Sequence, residues 1–162
     1  MLTPLPRFRR ARPEEAEAIT RLALRSKRHW GYDDAFMAAL TPELTFTPAD
    51  LAQERDHVEV LESADDLLGV FRLCWRTEMA FLEDLWIDPE VMGRGYGRLV
   101  FERSVEVARS WGKGVMEWES DPFAEPFYLH LGAQRVAMSP ATVIPGRSIP
   151  LMRYALWSAP EQ

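Results

Sequence analysis

The chain has 162 residues, of which 47% are apolar and 27% charged, and its formal net charge is −6. That length suits one domain, residues 1–162, with a core that needs no disulfide or metal, and the negative charge disfavours nucleic acid as a partner because phosphate binding wants a basic field. The lone Cys74 cannot form an internal disulfide, no apolar leader opens the chain, and no run approaches the ~18 apolar residues of a membrane span, so a cytoplasmic protein without a membrane partner is expected.

Taken in order, Phe8 to Arg12 reads as a short strand, and Pro13-Glu14-Glu15 opens a helix with proline and acids at its positive end. Ala16, Ile19, Leu22, Ala23 and Ser26 carry that helix to about Lys27 at helical spacing. A turn from His29 leads into a second, short helix near Phe36, and Thr47-Pro48-Ala49-Asp50 caps a further helical turn. His57 to Leu61 alternates polar and apolar residues and predicts a half-buried strand. Leu67 to Arg76 and Met79 to Ile87 follow as strands, and the short connections predict an antiparallel meander. Cys74, inside an apolar run, reads as a buried small hydrophobe.

A helix starts near Gly95, buries Val100, Ser104, Val107, Ala108 and Trp111, and ends at Gly112. Val115 to Glu119 is a strand, Pro126 opens a short helix closed by Gly132, and Gln134 to Met138 and Ile149 to Trp157 are two more strands. The first few residues and Ser158 to Gln162 look frayed.

Met92-Gly93-Arg94-Gly95-Tyr96-Gly97-Arg98 joins a strand to a long helix. Its glycines permit positive φ and close backbone approach, and the helix start aims free N–H groups and partial positive charge at whatever fills the loop. Those are the requirements of a bound pyrophosphate, with Arg94 and Arg98 adding charge. A dinucleotide fold needs G-x-G-x-x-G and parallel βαβ units, and neither is present.

The segment Ile87 to Gly97 resembles the acyl-CoA loop of GNAT N-acetyltransferases, whose motif is Q/R-x-x-G-x-G/A, with Gly95 and Gly97 matching and Met92 departing from the usual Gln or Arg. Asp121 to Gly132 resembles the family segment N-x-x-A-x-x-F-Y-x-x-x-G-F at Ala124, Phe127, Tyr128 and Gly132, with Asp121 in place of Asn and Ala133 in place of the last Phe. The element order resembles the GNAT order over nearly the whole chain. The resemblance implies an α/β (α+β) acyl-CoA N-acyltransferase fold with a mixed sheet of about seven strands and about four helices. It also implies acetyl-CoA as co-substrate, no metal, and transfer of an acetyl group to a primary amine of a small molecule or amino acid. Homodimers are common among such proteins.

By the same resemblance, residues 93 to 98 hold the pyrophosphate, the backbone at Leu85, Trp86 and Ile87 pairs with the pantetheine arm, and Met92, Arg94, Tyr96, Arg98 and Asp121 complete the cofactor site. Tyr128 is then the general acid that protonates the sulfur, against the alternative of a tyrosine that anchors its helix. Amine attack also needs a base, because an alkyl ammonium has a pKa near 10. Many relatives carry a glutamate at the position of Phe81. Glu83 and Asp84 alternate in direction, and Glu83, two residues on from Phe81, is the expected base, with Glu117 and Glu119 in reserve. For the acceptor, the resemblance implicates His29, Trp30, Tyr32 and Phe36 on one side and the turn with Arg147 on the other, where Arg147 can meet a carboxylate. His130 reads as a surface residue. Two alternatives stay open: a non-catalytic acyl-CoA sensor, and an acetyltransferase acting on a protein N-terminus or lysine.

Overall fold

The computed structural model describes residue 2 and residues 4–157. The ends expected to fray include residues 1, 3 and 158–162, which lie outside the described residues. Seven strands form one mixed sheet: β1 (Arg7–Arg10), β2 (Asp56–Ser63), β3 (Asp66–Trp75), β4 (Ala80–Ile87), β5 (Val115–Glu119), β6 (Gln134–Pro140) and β7 (Ser148–Ala155). Their order is β1-β2-β3-β4-β5-β7-β6, antiparallel except for the β4–β5 pair. The helices are α1 (Ala16–Arg28), α2 (Asp34–Leu44), α3 (Pro48–Ala52), α4 (Tyr96–Ser110) and α5 (Glu125–His130), with α3 and α5 the short ones. The element order and the β2-β3-β4 meander agree with the sequence reading, and boundaries shift by a residue or two. No helix among the described residues is long and apolar enough to cross a membrane.

Local chemistry fixes the helix ends. Glu15 accepts the Arg12 N–H at 2.8 Å in a turn opened by Pro13. Asp33 accepts the Phe36 N–H at 2.8 Å, and Thr47 and Asp50 form a reciprocal capping box. Gly112, at φ 76°, takes the left-handed turn that ends α4.

The sheet is covered on both faces. α4 and α5 close over Phe101, Trp118, Tyr128 and Met152. On the other face α1 and α3 pack Ile19, Leu22 and Leu51 against Val58, Val60 and Val70, while α2 adds a smaller cluster of Met37, Leu40 and Leu44.

That double cover corrects the half-buried reading of β2. Glu59 is only 3% exposed, and its carboxylate is clamped by Arg103 Nε and Nη2 at 2.9 and 3.1 Å and by His57 Nε2 at 2.5 Å. Glu62 is likewise buried against Arg9 and Arg7, each at 2.9 Å. Alternation marked these residues as polar but not as paired, and a paired carboxylate can sit inside. Cys74 is half-buried rather than fully buried, and burial together with Asp56 pushes its thiol up to about 12, so it is unreactive.

Burial raises the Glu59 pKa, but hydrogen bonds and charge from His57 and Arg103 outweigh it and hold the carboxyl at about 2. A lowered pKa contributes stability above pH 4.5 that is lost as pH falls toward 2. Glu59→Gln should therefore cost about 3 kcal/mol at neutral pH. Urea denaturation should show the gap to the parent protein closing as pH drops below 4.5.

Candidate active site

β4 and β5 pair over only two positions, Ala80 with Met116 and Phe81 with Glu117. Beyond them the strands part. The gap opens into a cavity of about 810 Å³, within the range that holds a small ligand. Leu82 to Ile87 line one wall and Trp118 to Asp121 the other. The backbone of β4 facing the gap has no strand partner there, which leaves its polar groups free for an extended ligand.

At one end of the gap lies the glycine loop. Gly93 and Gly95 adopt φ of 82° and 87°, a region strained for other residues. Gly95 is the N-cap of α4 and offers no capping side chain, and the first turn-closing bond runs from the Leu99 N–H to the Gly95 carbonyl at 3.2 Å. The amides of Tyr96, Gly97 and Arg98 therefore lack internal partners and open onto the cavity with the positive end of a 15-residue helix behind them. Gly97 also lets Phe127 close in, because a Cβ there would meet the ring at 3.1 Å. An uncapped helix start lined by glycine fits a diphosphate.

Of the cofactor residues expected from sequence, Leu85, Trp86, Ile87, Met92, Gly93, Gly95, Tyr96, Gly97, Arg98, Asp121 and Tyr128 all line this cavity. Arg94 is exposed and does not. Arg98 lines it while its Nε donates to Glu102 at 3.1 Å.

Tyr128 packs against Trp118 at 4.9 Å between centroids, is 7% exposed, and has no hydrogen-bond partner for its hydroxyl among the described residues. Burial, and then the negative charge of Asp121, raise its pKa well above 10, so the phenol keeps its proton.

The two β4 carboxylates depart from the sequence expectation. The register steps from Leu73–Leu82 to Arg72–Asp84, so Glu83 is an extra, bulged residue. The bulge breaks the alternation that set Glu83 and Asp84 on opposite faces, and both line the cavity. Glu83 is half-exposed and lies 3.8 Å from Arg76. Asp84 is buried and accepts the Trp86 indole N–H at 3.0 Å. Burial pushes its carboxyl up to about 7, with Arg72 opposing and Glu83 and Asp50 adding to the shift. Sequence reasoning passed over Asp84 because the bulge that admits it to the cavity depends on pairing with β3. Glu117 lies outside the cavity and is tied to Arg153 at 2.7 Å, whereas Glu119 lines it and accepts from Ser139 at 2.9 Å.

The residues expected around the acceptor divide. Trp30 and Arg147 line the cavity. Tyr32 and Phe36 do not line it but stack behind it, centroids 4.0 Å apart. His29 is exposed, edge-on to Trp30, and His130 is exposed at the end of α5. Lys27, which the sequence did not single out, also lines the cavity and reaches Asp121 at 2.5 Å. Tyr32 Oη donates to the same Asp121 oxygen at 2.8 Å, and the Phe123 N–H occupies the other oxygen at 2.8 Å. Burial lowers the pKa of Lys27, opposed by the charge of Asp121, and raises that of Tyr32, reinforced by the bond to Asp121.

A sequence profile of the Acetyltransferase (GNAT) family matches residues 17–133. The chain belongs to the GNAT acetyltransferase family. No curated protein sequence matches it. Among solved structures, it is similar to a GCN5-related N-acetyltransferase from Rhodopseudomonas palustris (TM-score 0.77, 15% identity, 96% of this chain and 98% of that one). It is also similar to PaiA N-acetyltransferase from Thermoplasma acidophilum, in complex with coenzyme A (0.74, 12%, 93% and 99%). A third is YncA from Salmonella typhimurium with acetyl-CoA (0.65, 22%, 97% and 98%). At these identities the likeness is one of fold.

Within this GNAT chain the departures from the family pattern have local reasons. Met92 packs against the main core, and the loop amides remain available without its side chain. Asp121 takes up the charge of a buried lysine, which an asparagine would leave uncompensated.

The raised pKa of Asp84 means that full stability is present below pH 3.8 and declines as pH rises through about 7. Asp84→Asn keeps an acceptor for the Trp86 N–H without the buried charge. Denaturant titrations should find it about as stable as the parent protein at pH 4 and about 4 kcal/mol more stable at pH 8.5.

Proposed function

We propose that this protein moves an acetyl group from acetyl-CoA to the primary amine of a small molecule by direct attack of the amine on the thioester. The observation that carries this reading is the single cavity that joins the uncapped start of α4 to a carboxylate poised near 7 and a protonated phenol.

The chemistry assigns each residue a task. The loop amides of residues 93 to 98, the α4 dipole and Arg98 hold the diphosphate. The open edge of β4 at Leu85 to Ile87 orients the pantetheine arm. In this reading Asp84 Oδ takes the proton from the acceptor ammonium, because a base with a pKa near the working pH is both ionised and able to accept. Glu83, half-exposed beside Arg76, has the ordinary surroundings of a solvated carboxylate and serves to draw the cation in. Tyr128 Oη, free of internal partners, gives its proton to the departing sulfur and is reprotonated by the second proton, which the attacking nitrogen loses as the carbon–sulfur bond breaks.

A tryptophan-fluorescence titration with acetyl-CoA, followed by thiol release in the presence of an amine panel, tests the reading. Saturable binding and amine-dependent thiol release are expected. Tyr128→Phe should lower kcat about 100-fold with the Kd for acetyl-CoA within twofold. The kcat of the parent protein should rise through pH 7 as Asp84 ionises, and Asp84→Asn should abolish that rise. Tight binding without turnover across the panel would instead mark an acyl-CoA sensor.

A further inference from the structure

We infer that the acceptor carries a carboxylate beside its amine, as an amino acid with an apolar side chain does, and that Arg147 recognises that carboxylate. This rests on the acetyl-transfer reading above and names its substrate class.

Arg147 reaches the cavity from the connection between β6 and β7. Its plane is fixed from several sides. Nη2 donates to Tyr32 Oη at 2.8 Å, and the guanidinium lies over the Phe36 ring at 4.8 Å and the Tyr32 ring at 5.3 Å. Asp121 Oδ2 stands 3.9 Å away. Since Tyr32 and Phe36 are stacked on one another, the platform under the guanidinium is itself rigid. A guanidinium carries five N–H donors. The bond to Tyr32 uses one of them, and no other protein acceptor meets the group at hydrogen-bond distance among the described residues. A planar fork held flat, with donors free, matches a carboxylate in two parallel bonds.

Charge balance points the same way. Asp121 is the carboxylate shared by Lys27 and Arg147, and both of its oxygens are engaged, one by Lys27 and Tyr32 and the other by the Phe123 N–H. Two cations therefore face one saturated carboxylate. Glu43, whose charge also reaches Lys27, is exposed and accepts from Thr142 at 2.6 Å. An incoming carboxylate supplies Arg147 with the hydrogen-bonded anion that it lacks among the described residues. The β4 wall of the same cavity carries Glu83 and Asp84, which suit an ammonium. Trp30, Leu40, Leu44 and Trp86 add apolar surface to the lining and suit an uncharged side chain.

The experiment is calorimetry on the CoA-loaded protein with L-leucine and L-phenylalanine, each against its amide, alongside thiol release from acetyl-CoA with the same four compounds. The free acids should bind at least tenfold tighter and be acetylated with a correspondingly lower KM. Arg147→Gln should erase the preference by weakening the acids alone, and Arg147→Lys, which keeps the charge without the fork, should fall between; thermal melts confirm that both variants are folded. Equal affinity for acid and amide, acetylation confined to amines without a carboxylate, or no binding of any of the four overturns the inference. Acids that bind through Arg147 but are never acetylated would uphold the carboxylate site and remove the transfer reading.

Discussion

The structure depends on β4 and β5 holding together for two residue pairs and no more. A sheet that paired fully here would be solid. Because it parts, a cavity penetrates between the two strands, and Asp84 and Tyr128 sit buried on its walls. The same parting leaves the β4 backbone edge unpaired and sets the uncapped start of α4 at the end of the gap. The opposite wall leads from β5 through Asp121 into α5, which carries Tyr128.

Two buried carboxylates of the same sheet, Glu59 on β2 and Asp84 on β4, show how surroundings assign roles. Glu59 has a guanidinium and an imidazole on its oxygens and is held at about 2. Asp84 has one indole N–H and is pushed up to about 7. The first is a structural ion, costly to break and inert at neutral pH. The second is left short of partners, and that shortage is what makes it a proton acceptor near neutrality. Glu62 and Glu117 are paired with arginines, and Asp121 on the cavity wall is paired with Lys27, whereas Asp84 has no cation at hydrogen-bond distance among the described residues.

On the acceptor side, Lys27, Tyr32, Asp121 and Arg147 form one network drawn from α1, the turn before α2, the end of β5 and the β6–β7 connection. Its members lock each other in place, so the cavity wall is preorganised before any ligand arrives. Tyr32 and Phe36 act here as a platform under Arg147 rather than as a surface for the acceptor.

Much of this was legible in the sequence because it is local. Periodicity, caps and short connections gave the element order, and the alternate glycines before a long helix gave the loop whose amides open onto the cavity. Tyr128 was legible through the residues around it in the chain. What sequence could not decide was every feature set by a partner far along the chain. The burial of β2 depends on Arg103, the bulge that sets Glu83 apart from Asp84 depends on register with β3, and the occupation of Asp121 depends on Lys27, 94 residues away. Backbone spacing and helix-start electrostatics are properties of neighbouring residues and can be read in one dimension. Which carboxylate is paired, and hence which one can move a proton, is a property of contacts that exist only once the chain has folded.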